Sequence, residues 1–142
     1  VISLDQEDIV TLIKKLMKSL GLNESTCMVY AILAVSDKPM TVGEIAEKTG
    51  YSIPMVYKCI KELVENNLIE KIKFNSTNVY SANINFIDVF EKRRKRLMEE
   101  FLEPLSRIDI RRYPENKKIK EIKDYAKEIY NYFKKINDIK GK

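Results

Sequence analysis

Two short helical stripes on either side of a glycine, at 42–49 and from 53 to about 66, followed by an alternating run that ends near Phe74, predict a mainly α fold with a small β wing. That order is the layout of a winged helix-turn-helix, whose second helix is shaped to lie in a DNA major groove. Apolar stripes before and after it add N- and C-terminal helices suited to dimerisation.

Each element has a local cause. Near the N-terminus, Ile9, Leu12, Ile13, Leu16 and Leu20 recur at helical spacing, so this segment packs on the motif or on a partner. Thr41 caps the first motif helix with Glu44 as its capping-box partner, and Val42, Ile45 and Ala46 form its apolar side. Gly50 ends that helix, because glycine tolerates the left-handed conformation of a sharp turn. Ser52 offers the next N-cap, and Pro54 fits a first turn where a missing N–H costs nothing. Val56, Ile60, Leu63 and Val64 then make one apolar stripe, leaving Tyr57, Lys58, Lys61 and Glu65 outward. The run 68–74 alternates, and after a turn over Asn75, Ser76, Thr77 and Asn78 the segment 79–82 returns antiparallel. This hairpin is the expected wing.

The remainder reads as helix. Ile87, Phe90, Leu97, Met98, Phe101, Leu102 and Leu105 stripe a segment that also holds the basic run Lys92-Arg93-Arg94-Lys95-Arg96. One side of that helix is expected to pack and the other to display its charges, either beside DNA or simply to water. Pro114 disfavours helix at Tyr113, so the last helix begins near Asn116. In it Ile119, Ile122, Ala126, Ile129, Phe133 and Ile136 are spaced like the a/d seam of a coiled coil. A seam this short needs a further helix beside it, from the same chain or a second copy. A twofold dimer is the expected arrangement, since two half-sites about 34 Å apart need two reading helices at fixed separation. Tyr125, Tyr130 and Tyr132 flank the seam, where they complete packing or line a small-molecule pocket. The expected organisation is a winged-helix domain over 1–85 and a helical dimerisation extension over 86–142.

With these residues in place, GLNESTCMVYAILAVSDKPMTVGEIAEKTGYSIPMVYKCIKELVENNLIEKI resembles the DNA-binding domain of the archaeal TrmB-like transcriptional regulators. The part YAILAVSDKPMTVGEIAEK is also similar to MarR/GbsR-type regulators. The likeness covers residues 20–82 and rests on Gly21-Leu22-Asn23-Glu24, Val29-Tyr30, Glu44-Ile45-Ala46, Val56-Tyr57 and Asn67-Leu68-Ile69. It implies a homodimeric regulator on double-stranded DNA. One departure bears on mechanism: the family carries small polar and basic residues before the Val-Tyr pair, whereas this chain has Ile53-Pro54-Met55. Those three side chains offer only apolar contact, for instance to a thymine methyl. The sugar-binding domain of the resembled family has no counterpart in the charged helical segment, so any small-molecule effector is left unassigned.

Composition narrows the function classes. With 142 residues, four glycines and four prolines, the chain is long enough for a real core and has no low-complexity stretch. No apolar run reaches the roughly 18 residues that span a bilayer, and no signal-peptide pattern opens the sequence, so a cytoplasmic protein without membrane contact is expected. Cys27 and Cys59 have no CxxC spacing and the chain has no histidine, which removes the usual zinc sets and histidine-dependent catalysis; both thiols are expected to be buried. With no glycine-rich phosphate loop and no GxSxG either, the chain is expected to be neither an enzyme nor a cofactor carrier.

Net charge is +5, yet residues 1–85 hold nine lysines against ten acidic residues, so the excess lies in 86–142. Local positive charge remains at Lys58, Lys61, Lys71 and Lys73, interrupted by Glu62, Glu65 and Glu70. The expected DNA contacts are Thr41 and Ser52 to phosphate, Pro54 and Met55 in the groove, and Tyr57, Lys58 and Lys61 on the reading helix. Lys71, Lys73, Asn75, Ser76 and Thr77 serve on the wing. A winged helix used as a protein adaptor, and a ligand-gated repressor of the MarR type, are the competing readings. The near-neutral lobe and the apolar 53–55 stretch favour the adaptor.

Overall fold

Side-chain caps set where the helices start. Asp5 and Asp8 form a reciprocal capping box at α1 (Gln6–Ser19), Asn23 accepts from Thr26 N at α2 (Glu24–Ala34), and Thr41 and Glu44 form a second capping box at α3 (Val42–Thr49). Ser52 caps α4 (Ile53–Glu65) by accepting from Met55 N, with Pro54 in the first turn. The computed structural model describes residues 4–140. The chain divides into two compact units between Val89 and Phe90, a division that falls inside a helix.

In the first unit, Met17, Val29, Tyr30, Ile45, Val56 and Leu63 are fully buried and bring α1 to α4 around one core. Met17 belongs to that core although the stripe at 9–20 omits it; Ile13, Leu16 and Leu20 pack against its edge, while Ile9 and Leu12 stay exposed. On α4 the inward residues are Val56, Cys59, Ile60 and Leu63, and Val64 faces solvent. Cysteine takes the place expected for Val64 because residue 59 lies three positions after Val56 and four before Leu63, on the same side of the helix.

The C-terminus of α4 explains the entry to the wing. Asn67 adopts φ 58°, its N–H donates to Val64 O, and Leu68 N–H donates to Leu63 O at 2.9 Å. These two bonds are a Schellman closure, completed by burial of both Leu63 and Leu68. Strand β1 (Ile69–Phe74) then pairs antiparallel with β2 (Thr77–Ala82), from Ile69 opposite Ala82 to Phe74 opposite Thr77. The turn is tighter than the sequence suggests: Thr77 and Asn78 already belong to the ladder, leaving Asn75 and Ser76 as a two-residue connection with φ 48° and 65°. Two positive φ angles give the turn a twist that matches the right-handed twist of the strands.

Two further ties hold the wing root. Met40 and Tyr80 exchange backbone hydrogen bonds of 2.9 and 2.8 Å, and the buried Tyr30 hydroxyl donates to Asn83 O at 2.7 Å. Burial pushes the Tyr30 phenol up to about 12, so it remains a donor throughout the neutral range.

Helix α5 (Phe86–Leu97) runs into a π-turn at Met98–Leu102, then α6 (Glu103–Ser106), a 3-10 turn at Ile110–Arg112, and α7 (Lys117–Lys140), which Asn116 caps by accepting from Lys118 N and Ile119 N. Pro104 has no N–H for the Glu100 carbonyl, and the wide turn, closed by Glu103 N–H to Met98 O, absorbs that loss. One member of the basic run departs from expectation. Arg94 is only 8% exposed and lies within the second unit, donating to Glu91 at 3.1 Å, to Phe133 O at 2.9 Å and to Asn137. Residue 94 lies four before the buried Met98 on the same side of the helix, so its guanidinium is inside and needs these acceptors.

Two stability outcomes follow from this geometry. Arg94→Ala removes the buried guanidinium and its bonds to Glu91, Phe133 O and Asn137, and is expected to destabilise the second unit by about 3–5 kcal/mol, with Arg94→Lys restoring little because an ammonium lacks the fork; a thermal or urea melt measures this. Ser76→Gly relieves a left-handed serine and is expected to slow amide exchange across the β1–β2 ladder by roughly fivefold, whereas Ser76→Val accelerates it.

Candidate nucleic-acid interface

The amphipathic division of α4 builds the main surface. Pro54, Tyr57, Lys58 and Lys61 lie at i, i+3, i+4 and i+7, so they share one stripe opposite the buried residues, and all four are exposed. Tyr57 is 54% exposed, with its ring and hydroxyl outside the core. Ile53 and Met55 are exposed at the start of the helix. This is the rod-like surface that the glycine turn and the two helical stripes predict, exposed among the described residues.

The acidic interruptions are fewer than the sequence suggests. Glu62 turns toward α2, where its carboxylate accepts from Thr26 Oγ1 at 2.9 Å and from Asn23 Nδ2 at 3.4 Å. The Thr26 hydroxyl is buried, and a buried donor demands such an acceptor. Glu65 and Glu70 remain exposed.

The two capping hydroxyls differ. Thr41 Oγ1 accepts from Glu44 N at 3.1 Å and donates to Glu44 Oε1 at 3.0 Å, so its proton is committed within the capping box and not left for phosphate. Ser52 Oγ accepts from Met55 N at 3.3 Å on an exposed helix start. Gly50, at φ 76°, makes the sharp turn between α3 and α4.

On the wing, the ladder assigns faces. Ile69, Lys71 and Lys73 share one face with Tyr80 and Asn78 opposite, while Glu70, Ile72 and Phe74 share the other with Val79 and Thr77 opposite. Only Ile69 of β1 is buried; Lys71, Lys73, Asn75, Ser76 and Thr77 are exposed as expected of contact residues. Phe74 is 66% exposed at the last rung before the turn, and the contact residues expected from the sequence omit it. Alternation alone gives no sign of this, because an apolar residue in a strand reads as core unless the sheet is known to have nothing over that face.

Both cysteines are free and buried, as expected. Burial raises the Cys27 thiol, which donates to Leu22 O at 3.5 Å, so neither its charge state nor its position suits a reactive role.

The second unit carries a separate surface. An open apolar groove of about 760 Å³ is lined by Leu102, Leu105, Ile122, Tyr125, Ala126, Ile129 and Tyr132, together with Glu128. It splits the seam read from the sequence. Ala126 is buried and Ile119, Phe133 and Ile136 are partly buried within the unit, while Ile122, at 48%, and Ile129 are exposed in the groove. The split arises because the π-turn and α6 already cover part of α7. Tyr125 and Tyr132 line the groove, and Tyr130 does not. Phe90, Leu97 and Phe101 are also exposed.

Comparison with known proteins agrees with this architecture. Residues 16–83 match the family described as sugar-specific transcriptional regulator TrmB. Over 67 residues the chain is 28% identical to the HTH-type transcriptional repressor OpcR of Bacillus subtilis (strain 168), covering 47% of this chain and 36% of that protein. The chain thus spans little more than a third of the length of this curated relative. A solved structure described as a transcriptional regulator shares the fold at a TM-score of 0.69 and 17% identity, over 94% of this chain and 95% of that one. The multiple antibiotic-resistance repressor (MarR) from Listeria monocytogenes aligns more loosely, at a TM-score of 0.43 and 13% identity over 94% of this chain and 99% of that one. The similarity to TrmB regulators therefore falls on the winged helix-turn-helix itself, from the end of α1 to the end of β2.

Proposed function

We propose that this chain is a double-stranded DNA-binding transcriptional regulator that works as a homodimer in the cytoplasm, without catalysis of its own. The observation that carries the reading is the solvent-exposed stripe Pro54, Tyr57, Lys58 and Lys61 on a helix whose other side is buried. Such a helix is held rigidly by its inward face and presents only its outward face to a groove. Lys58 and Lys61, with Lys71 and Lys73 on the wing, neutralise phosphates and fix the register; Tyr57, Pro54 and Met55 face the bases. Few of these groups bond base edges bidentately, so discrimination rests chiefly on DNA shape.

In this reading the exposed apolar residues of the second unit associate with those of a second copy, and a dimer supplies the two reading helices that paired half-sites need. The exposed Ile53 and Met55 favour a second reading, a winged helix that docks on another protein of the transcription machinery. A small-molecule effector is compatible with either and has no assigned site.

Titrating labelled duplex by fluorescence anisotropy at two salt concentrations separates the readings. Lys58→Ala with Lys61→Ala is expected to weaken binding and to reduce the slope of log K against log[salt] by about 2 per subunit. An unchanged slope removes both lysines from the interface, and absence of binding by the wild type on any duplex favours the protein-docking reading. Ile122→Glu with Ile129→Glu is expected to shift the chain from dimer to monomer in sedimentation velocity while leaving its melting curve largely intact, since both side chains are exposed within the unit.

A further inference from the structure

We propose that Phe74 is an apolar wedge that enters the minor groove beside the reading helix and unstacks a base step, so that the bound duplex is bent. The inference rests on the DNA-binding reading above and adds to it a residue and a mode of action.

Three observations point to it. Phe74 sits on the last rung of the β1–β2 ladder and is two-thirds exposed, so it contributes little to the core. The turn that follows has only two residues, Asn75 and Ser76, both with positive φ, and a serine in that conformation is strained. The two-residue connection keeps the hairpin end narrow, with no broad loop beside the ring. Ile72 and Val79 lie behind Phe74 on the same face and support the ring from the root side.

The chemistry around the ring selects its occupant. Lys71 and Lys73 alternate with Ile72 and Phe74 along the strand, and Asn75 adjoins the ring at the tip. Ammonium groups are depleted at the cores of protein interfaces, which argues against a protein covering this tip. Phosphates along one wall of a groove are the natural partners of the two lysines, which share the sheet face opposite the ring, and the Asn75 amide can donate to the adenine N3 or thymine O2 acceptors on the groove floor. A cation, an amide and an inserted apolar side chain together are the means by which proteins read and kink a minor groove. The step that yields most easily is pyrimidine–purine, above all TA.

The test uses the full chain with two 30-base-pair duplexes, one centred on alternating TA steps and one on a stiff A-tract. Each carries an end-to-end fluorophore pair and, in a parallel set, a central 2-aminopurine. Wild-type protein is expected to raise energy transfer and 2-aminopurine emission on the TA duplex and to bind the A-tract more weakly. Phe74→Ala should abolish both signals and weaken TA-duplex binding roughly tenfold, in line with the loss of one base–aromatic stack. Phe74→Leu, which keeps a wedge, should retain part of the bend. The exposure of Phe74 predicts unchanged melting curves for both variants, which confirms that folding is intact. Wild-type binding without either signal overturns the inference alone, as does a Phe74→Ala variant that bends DNA like the wild type or alters only self-association. Failure of the wild type to bind either duplex at low salt overturns the DNA-binding reading, and this inference with it.

Discussion

Burial of Val56, Cys59, Ile60 and Leu63 against the core of the first unit is the constraint on which the candidate interface depends. Each such side chain contributes on the order of 1.5–3 kcal/mol when taken out of water, so α4 cannot rotate about its axis without losing several of them at once. Fixing one face fixes the other. Tyr57, Lys58 and Lys61 are presented outward because the helix period sends residues 56, 60 and 63 inward, and the Schellman closure at Asn67 then delivers β1 at a set angle. The wing root is pinned by Met40 and by Tyr30, so reading helix and wing share a single rigid support.

Much of this was legible in the sequence, and the reasons are local. Capping residues act within three or four positions, so Thr41 with Glu44, Ser52, Gly50 and Asn116 mark helix limits that the structure reproduces. Periodicity exposes the inward side of α4 and the outward Lys58 and Lys61. What periodicity cannot supply is the environment of a face. Arg94 belongs to a run of five basic residues and looks solvated, yet α7 offers it a carbonyl and an amide. Alternation does not mark Phe74 as a surface residue, yet it is two-thirds exposed. Glu62 looks like an interruption of the reading surface, yet a buried threonine more than thirty residues earlier claims its carboxylate. The two-residue turn was missed for a related reason: Asn-Ser carries a weaker signal than Asn-Gly for a pair of positive φ angles, and the polar run 75–78 resembles an ordinary loop.

The seam of α7 illustrates the same limit from the other side. A three-four spacing states that a helix has an apolar stripe, not what the stripe touches. Here the π-turn and α6 take part of the stripe, and the remainder joins Tyr125 and Tyr132 in an open groove. An apolar groove rimmed by tyrosines is suited to association, since a tyrosine can bury its ring while its hydroxyl stays wet.

The start of α4 explains why a protein of this kind would depend on shape. Arginine, lysine, asparagine and glutamine identify a base through paired hydrogen bonds, each such pair worth roughly 1–3 kcal/mol of discrimination. Ile53, Pro54 and Met55 occupy the helix start and can make none, so the groove contact there distinguishes little beyond a thymine methyl. In the proposed reading, phosphate contacts from Lys58, Lys61, Lys71 and Lys73 would add affinity without sequence information. If sites are nevertheless to differ in affinity, the difference has to arise from how readily each duplex deforms to meet a rigid reading helix and wing. A support that cannot yield transfers the deformation to the DNA, and sequences that bend easily are then bound best.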